Sequence, residues 1–330
     1  MTFRHLFSWK SVFYELLLPS LRLLGPRRGD AVLGILGRAI ATGWPNRRRQ
    51  LFQSLEGARE ALQGDWNSDK VLAQFEANIP RFLGRDCLWD GDSDYVYRAS
   101  FEVEGAENVE AAKAMGRGVI VVGCHLGSHF SIPHWFYRNR ERFPMRMLVQ
   151  RPQHASKFFL SQFEIPGQEH PQSGFFVNRR LSPEEASRRI FRTRAALRDG
   201  LAIYLMGDVP WEGTNTRVGS LLGHEQTFQS LWTDFAVLFR APVVIAFSIY
   251  LPGGRTRVVF KPPMMLRKGE EDQAVREYLK SLDAEIAAHP ANAVAHLLWP
   301  CYGSKVTSPK RKSRREPLPR PRTESAGISA

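Results

Sequence analysis

"ENVEAAKAMGRGVIVVGCHLGSHF", residues 107–130, changes period halfway through. Its first half places apolar residues at helical spacing and ends at Gly116 and Gly118. Its second half opens on four apolar residues, Val119 to Val122, and then meets Gly123. A continuous β-branched run of that length is the mark of a strand buried on both faces, which is where parallel sheets place their strands. The strand delivers Cys124 and His125 at its tip, and Gly127 lets the chain turn sharply just beyond.

Outward from this unit the pattern repeats. "FEVEG" (101–105) precedes it as a short strand, and "MRMLVQRP" (145–152) and "GFFVN" (174–178) follow as two more. "SPEEASRRIFRTRAALRDG" reads as a helix with Ser182 as cap, Pro183 in the first turn, Glu185 completing a capping box and Gly200 as its stop. "LAIYLMGD" is the next strand, "TFQSLWTDFAVLFRAP" a helix and "VVIAFSIYL" a strand. "RTRVVF" is a strand across a Gly-Gly turn, and "EDQAVREYLKSLDAEIAAHP" a final helix. Alternation of this kind predicts an α/β fold with a mostly parallel sheet flanked by helices over residues 101–303. Residues 1–100 read as helical instead. They include "DAVLGILGRAIATGW" and the amphipathic "SDKVLAQFEANIPRFLGRD", expected to break at Pro80.

The chain of 330 residues carries a formal charge of +13. Residues 304–330 hold eight basic residues against Glu316 and Glu324, with Pro and Ser and no apolar periodicity, and read as a disordered basic tail. Such a tail is either simply solvated or a tether to a membrane or polyanion. No aromatic–basic alternation or groove-reading helix accompanies the basic runs, so nucleic acid is not an expected partner. Cys87, Cys124 and Cys301 form no disulfide framework or CxxC motif, which suits a reducing compartment. The first 25 residues lack a clean signal-peptide core, and Glu15, Pro19 and Arg22 interrupt any membrane span. Their Leu, Trp and Phe with basic punctuation suit either a helix lying in an anionic membrane interface or one packed on its own domain.

In open α/β sheets ligands bind beyond the carboxyl ends of the strands. Those ends carry His125, Arg151 and Asp208: a base, a cation and a carboxylate. A neutral imidazole can take a proton from a nucleophile near pH 7. Gly123 and Gly127 would let a substrate approach backbone N–H groups, placing Gly127 and Ser128 among candidate substrate contacts with Arg151. The i,i+4 histidines of "HLGSH" lack the Glu of a zinc helix and a third ligand, so no metal or other cofactor is expected. Cys124 points to the opposite side from its neighbour and reads as a small buried thiol. Aromatic residues such as Phe158, Phe159 and Phe163 suit either a core or an acyl groove.

Taken in order, "GVIVVGCHLGSHFS" (118–131), "QRP" (150–152), "LRDGLAIYLMGDVPW" (197–211), "LLGHEQTFQSLWTDFAVLFRAPVVIAFSIY" (221–250) and "AEIAAHPANAVAHLLWP" (284–300) resemble blocks of the lipid A biosynthesis (lauroyl/myristoyl) acyltransferases. The resemblance implies a glycerolipid-acyltransferase-like fold with N-terminal membrane-associated helices, peripheral or monotopic on the cytoplasmic side of an inner membrane. It implies transfer of a fatty acyl chain from acyl carrier protein or acyl-CoA to a hydroxyl of a lipid-linked sugar, in lipopolysaccharide assembly. His125 would then be general base, Arg151 would hold an anionic group, and Asp208 would orient a substrate or loop. The pattern departs at Phe130, where the family has Asp or Glu five residues after the histidine, and Ser128-His129 replace Asn-Trp. Three readings accommodate the change. Another acid reaches the ring, with Asp208 better placed than Glu212 or Glu225; the acceptor is an amine; or the chain is a degenerate relative that binds acyl lipid or carrier protein.

Overall fold

The computed structural model describes residues 9, 12–85, 88, 99–150, 175–177 and 183–298. Seven strands form the main sheet: β1 (Phe101–Glu104), β2 (Val119–Gly123), β3 (Met145–Gln150), β4 (Phe175–Val177), β5 (Ala202–Met206), β8 (Val243–Leu251) and β9 (Arg255–Phe260). Two more, β6 (Thr216–Leu221) and β7 (His224–Gln229), form a separate hairpin. The order in the main sheet is β1-β9-β8-β2-β5-β3-β4. Neighbours there pair in parallel throughout except at β8–β9, the hairpin that turns at Gly253-Gly254. The α/β class and the mostly parallel sheet expected from the alternation are therefore present.

The apolar runs are buried on both faces, as their composition requires. Along β2, Ile120 and Val122 point into one core with Ile203, Leu205, Ile245 and Phe247. Val119 and Val121 point into the other with Ala202, Tyr204, Val244 and Ala246. This is the period-two alternation of a strand seen from both sides. The second face is closed by α5 (Ala106–Ala114) and α6 (Ser131–Arg138) through Val109, Ile132, Trp135 and Phe136.

The first face is closed largely from outside the α/β alternation. Helices α3 (Pro45–Leu62) and α4 (Ser68–Gly84) contribute Leu51, Leu55, Leu72, Phe75 and Phe82 to the same core as Val122 and Phe247. Each such side chain, once buried, stabilises the fold by about 1.5–3 kcal/mol. Helix α9 (Glu271–Ala288) and the short α10 (Val294–Leu298) complete this layer through Tyr278, Leu282, Ile286 and Val294. Ahead of α3 lie α1 (Leu18–Arg22) and α2 (Pro26–Thr42); α7 (Pro183–Arg198) precedes β5, and α8 (Leu231–Phe239) precedes β8.

Two local expectations are corrected. Helix α4 does not break at Pro80 but runs on to Gly84. A proline removes the N–H that would bond the carbonyl four residues back, here that of Glu76. That carbonyl faces the bare Cα of Gly37 on α2, where a Cβ would overlap it. The close crossing of the two helices thus accommodates the lost bond. The helix expected over 227–242 is shorter than its apolar pattern. Thr227 to Gln229 end strand β7, which pairs antiparallel with β6, and α8 begins only after Ser230.

Candidate active site

The parallel register of β2 and β5 sets Gly123 opposite Met206. His125 and Asp208 each lie two residues beyond that pair, so the chain brings them side by side at one sheet edge. Asp208 Oδ1 lies 2.9 Å from His125 Nδ1, and Oδ2 accepts from the His125 backbone N–H at 2.7 Å. Asp208 Oδ2 also lies 2.8 Å from Nε2 of His296, a residue from the C-terminal α10. The carboxylate is fully buried, and so is His296, whereas the His125 side chain keeps 16% of its surface open.

Burial alone opposes ionisation of Asp208, but attraction and hydrogen bonds from His125 and His296 outweigh it and hold the carboxyl well below its ordinary value. An ionised carboxylate only accepts hydrogen bonds. It therefore calls for a proton on Nδ1 of His125 and on Nε2 of His296, the nitrogens that face it. His125 then carries its basic lone pair on Nε2, the nitrogen turned away from the carboxylate. This is the arrangement of a base oriented by a buried acid.

The loop that carries His125 is tied down at each step. Gly123 O accepts from Gly207 N at 3.0 Å and from the Tyr278 hydroxyl at 2.8 Å. Gly127 N donates to Asn292 O at 2.9 Å, and the Tyr204 hydroxyl donates to His129 O at 3.2 Å. Such bracing holds the loop that carries the imidazole in one arrangement.

Other expected site residues fare differently. Gly127 has φ +53°, and a Cβ there would overlap Ser248 O and sit 2.8 Å from Asn292 Oδ1. Its space is filled by protein, and its N–H is spent on Asn292, so neither is presented to a substrate. Ser128 is also fully buried, its hydroxyl against that of Ser131. These two positions shape the loop in this structure and do not line an open surface. Arg151 lies outside the described residues, as do Phe158, Phe159 and Phe163. Glu212 and Glu225 are exposed, and Glu225 belongs to the β6–β7 hairpin.

Phe130, five residues after His125, packs on His129 with ring centroids 4.2 Å apart and planes tilted by 42°. His129 also packs on Phe82 at 4.7 Å and on the His125 ring at 5.4 Å. Desolvation, reinforced by repulsion from His125, lowers the His129 pKa to about 3, so its ring is neutral at physiological pH. Burial pushes the Cys124 thiol well above its usual value, with Asp208 adding to the effect, which leaves it no nucleophile. Among the described residues no group of three or more His, Cys, Asp or Glu is arranged to hold a metal ion.

His296 is the residue that sequence reading missed. It sits in "AVAHLL", an apolar segment with no turn glycine or motif around it, and nothing local distinguishes it from an ordinary core histidine. Compared with known proteins, the chain matches no family model and no curated protein sequence.

Proposed function

We propose that the protein is an acyltransferase that moves a fatty acyl chain from a thioester donor, acyl carrier protein or acyl-CoA, to a hydroxyl or amine of a membrane lipid such as a lipid-linked sugar. The observation that carries this reading is the 2.9 Å contact between His125 Nδ1 and the buried Asp208 carboxylate. It supplies, from the neighbouring strand, the acid that Phe130 does not. His125 Nε2 takes the proton of the acceptor as its oxygen or nitrogen attacks the thioester carbonyl. Asp208 stabilises the imidazolium so formed, and His296 holds the second carboxylate oxygen. The tetrahedral intermediate then expels the donor's thiolate, which takes the proton from His125. Arg151, next after β3, holds an anionic group of donor or acceptor.

The reading extends to a membrane surface. Among the described residues, eight of the fifteen large apolar side chains left exposed lie within residues 9–44, including Leu16, Leu23, Ile35 and Trp44. Exposed Arg27, Arg28, Arg47 and Arg49 accompany them. No described helix is long and apolar enough to cross a membrane. Apolar side chains interleaved with arginines suit a face that lies on an anionic bilayer, here assigned to the cytoplasmic side of an inner membrane.

The test is acyl transfer by the purified protein, offered acyl carrier protein and CoA thioesters with sugar-lipid, hydroxyl and amine acceptors. His125→Ala is expected to lower turnover at least about 10³-fold. Turnover unchanged in that variant would remove His125 from the chemistry. Donor binding without transfer to any acceptor would favour the degenerate, lipid-binding reading.

A further inference from the structure

Away from His125, α2 and α4 meet the β8–β9 turn around a cavity of about 300 Å³. Its walls carry Arg38, Gln74, Asn78 and Arg81 with Tyr250 and Gly253, and no carboxylate is among them. Buried Asp30 pairs with Arg81 Nη2 at 2.9 Å and with Arg85 Nε at 3.1 Å, and Arg85 Nη2 also donates to Arg255 O. Glu76, the nearest acid on α4, is engaged by Arg48 at 2.7 Å. Arg38 is exposed and makes no ion pair among the described residues.

Arg81 is held in place and still has capacity to bind. Its Nη1 donates to Asn78 Oδ1 at 3.1 Å, and its side chain keeps 23% of its surface exposed. Its guanidinium lies against Gly34, where a Cβ would come within 2.7 Å of Nη2, so α2 leaves room for it. Two guanidiniums on a cavity whose described walls hold no carboxylate favour a dianion, because forked N–H donors match phosphate oxygens and each bond is charge-assisted. The volume is at the small end for ligand sites and suits a phosphate with a short organic group.

We propose that this cavity binds a phosphomonoester, held by Arg38 and Arg81. The group comes either from a membrane lipid headgroup or from a soluble phosphoester. Arg38 lies on the same helix as the exposed Ile35 and Ile40. The cavity also touches the brace of the His125 loop. Asn292 lines it, accepts from Tyr250 N at 2.7 Å through its side chain, and accepts from Gly127 N through its carbonyl. The site does not depend on the transfer reaction proposed for His125.

The full chain is titrated with inorganic phosphate and with glycerol 3-phosphate while the side-chain amides of Gln74 and Asn292 are followed by NMR. Saturable shifts are expected, with affinity reduced roughly tenfold or more in Arg38→Ala. Arg198→Ala, which removes an exposed charge on α7, is expected to bind as the parent does. No saturable binding, an Arg38→Ala variant that binds as the parent does, or equal weakening by Arg198→Ala would overturn the proposal. Phosphatidylcholine vesicles with and without phosphatidic acid then distinguish the source. Displacement of glycerol 3-phosphate only by vesicles containing phosphatidic acid supports the site with a lipid headgroup as ligand; binding that such vesicles leave undisturbed supports it with a soluble phosphoester.

Discussion

Replacing Asp208 by asparagine tests the core of the site, because the geometry dictates which way the amide must turn. One Asp208 oxygen, Oδ2, accepts from the backbone N–H of His125 and faces His296 Nε2; the other, Oδ1, faces His125 Nδ1. A backbone N–H cannot become an acceptor, so the oxygen of the introduced amide must occupy the Oδ2 place. Its NH₂ then points at His125 Nδ1, and two donors in contact would forfeit about 1–3 kcal/mol. The ring avoids this by moving its proton to Nε2. The lone pair now faces the introduced amide, and Nε2 can no longer accept a proton from a substrate. In serine proteases the equivalent exchange lowers turnover about 10⁴-fold by the same change of tautomer. A loss of about 10³–10⁴-fold is expected here, with little change in overall fold since the hydrogen bonds persist in altered sense. The decisive assay is long-range ¹H–¹⁵N NMR of the histidine rings, which reads the tautomer whether or not a substrate is known. His125 should carry its proton on Nδ1 in the parent and on Nε2 in Asp208→Asn. An unchanged tautomer, or turnover within about tenfold of the parent, would refute the reasoning.

Further consequences concern the loop, its buried neighbour and the surface. Gly127→Ala places a Cβ against Ser248 O and Asn292 at a positive φ, and should cost about 2–4 kcal/mol in urea unfolding; a loss under about 0.5 kcal/mol would contradict the packing. With its pKa lowered to about 3, His129 binds no proton in the folded state between roughly pH 6.5 and 3, whereas the unfolded chain does, so its presence lowers stability as pH falls through that window. His129→Phe should therefore gain stability over the parent on going from neutral to acid pH, by about 1.4 kcal/mol per unit once below the unfolded pKa; a gap that does not widen with acid would show that His129 is not the group involved. Replacing the exposed Leu23 and Leu24 by Glu should reduce partition onto anionic vesicles at least about tenfold without lowering the unfolding temperature, and unchanged partition would remove this face from the membrane.

Much of this architecture was legible because its signals are local. "VIVVG", "LAIYLM" and "VVIAFSIYL" announce doubly buried strands by composition alone, and their tips announce His125 and Asp208. The break expected at Pro80 and the helix expected from Thr227 were misread for a shared reason. In both places a distant partner, Gly37 in one and strand β6 in the other, outweighed local preference.

The sequence by itself determined the class of fold and which strand ends carry chemistry, since periodicity and glycine placement are properties of a single segment. Only the tertiary structure decided that β2 and β5 are neighbours in a register that pairs His125 with Asp208. It alone placed His296, 88 residues along the chain from Asp208, on the same carboxylate. It also enclosed the arginine-lined cavity between two N-terminal helices and a hairpin turn. The physical reason is that hydrogen bonds and charge pairing between distant segments depend on strand order and helix crossing, which no single window of residues encodes.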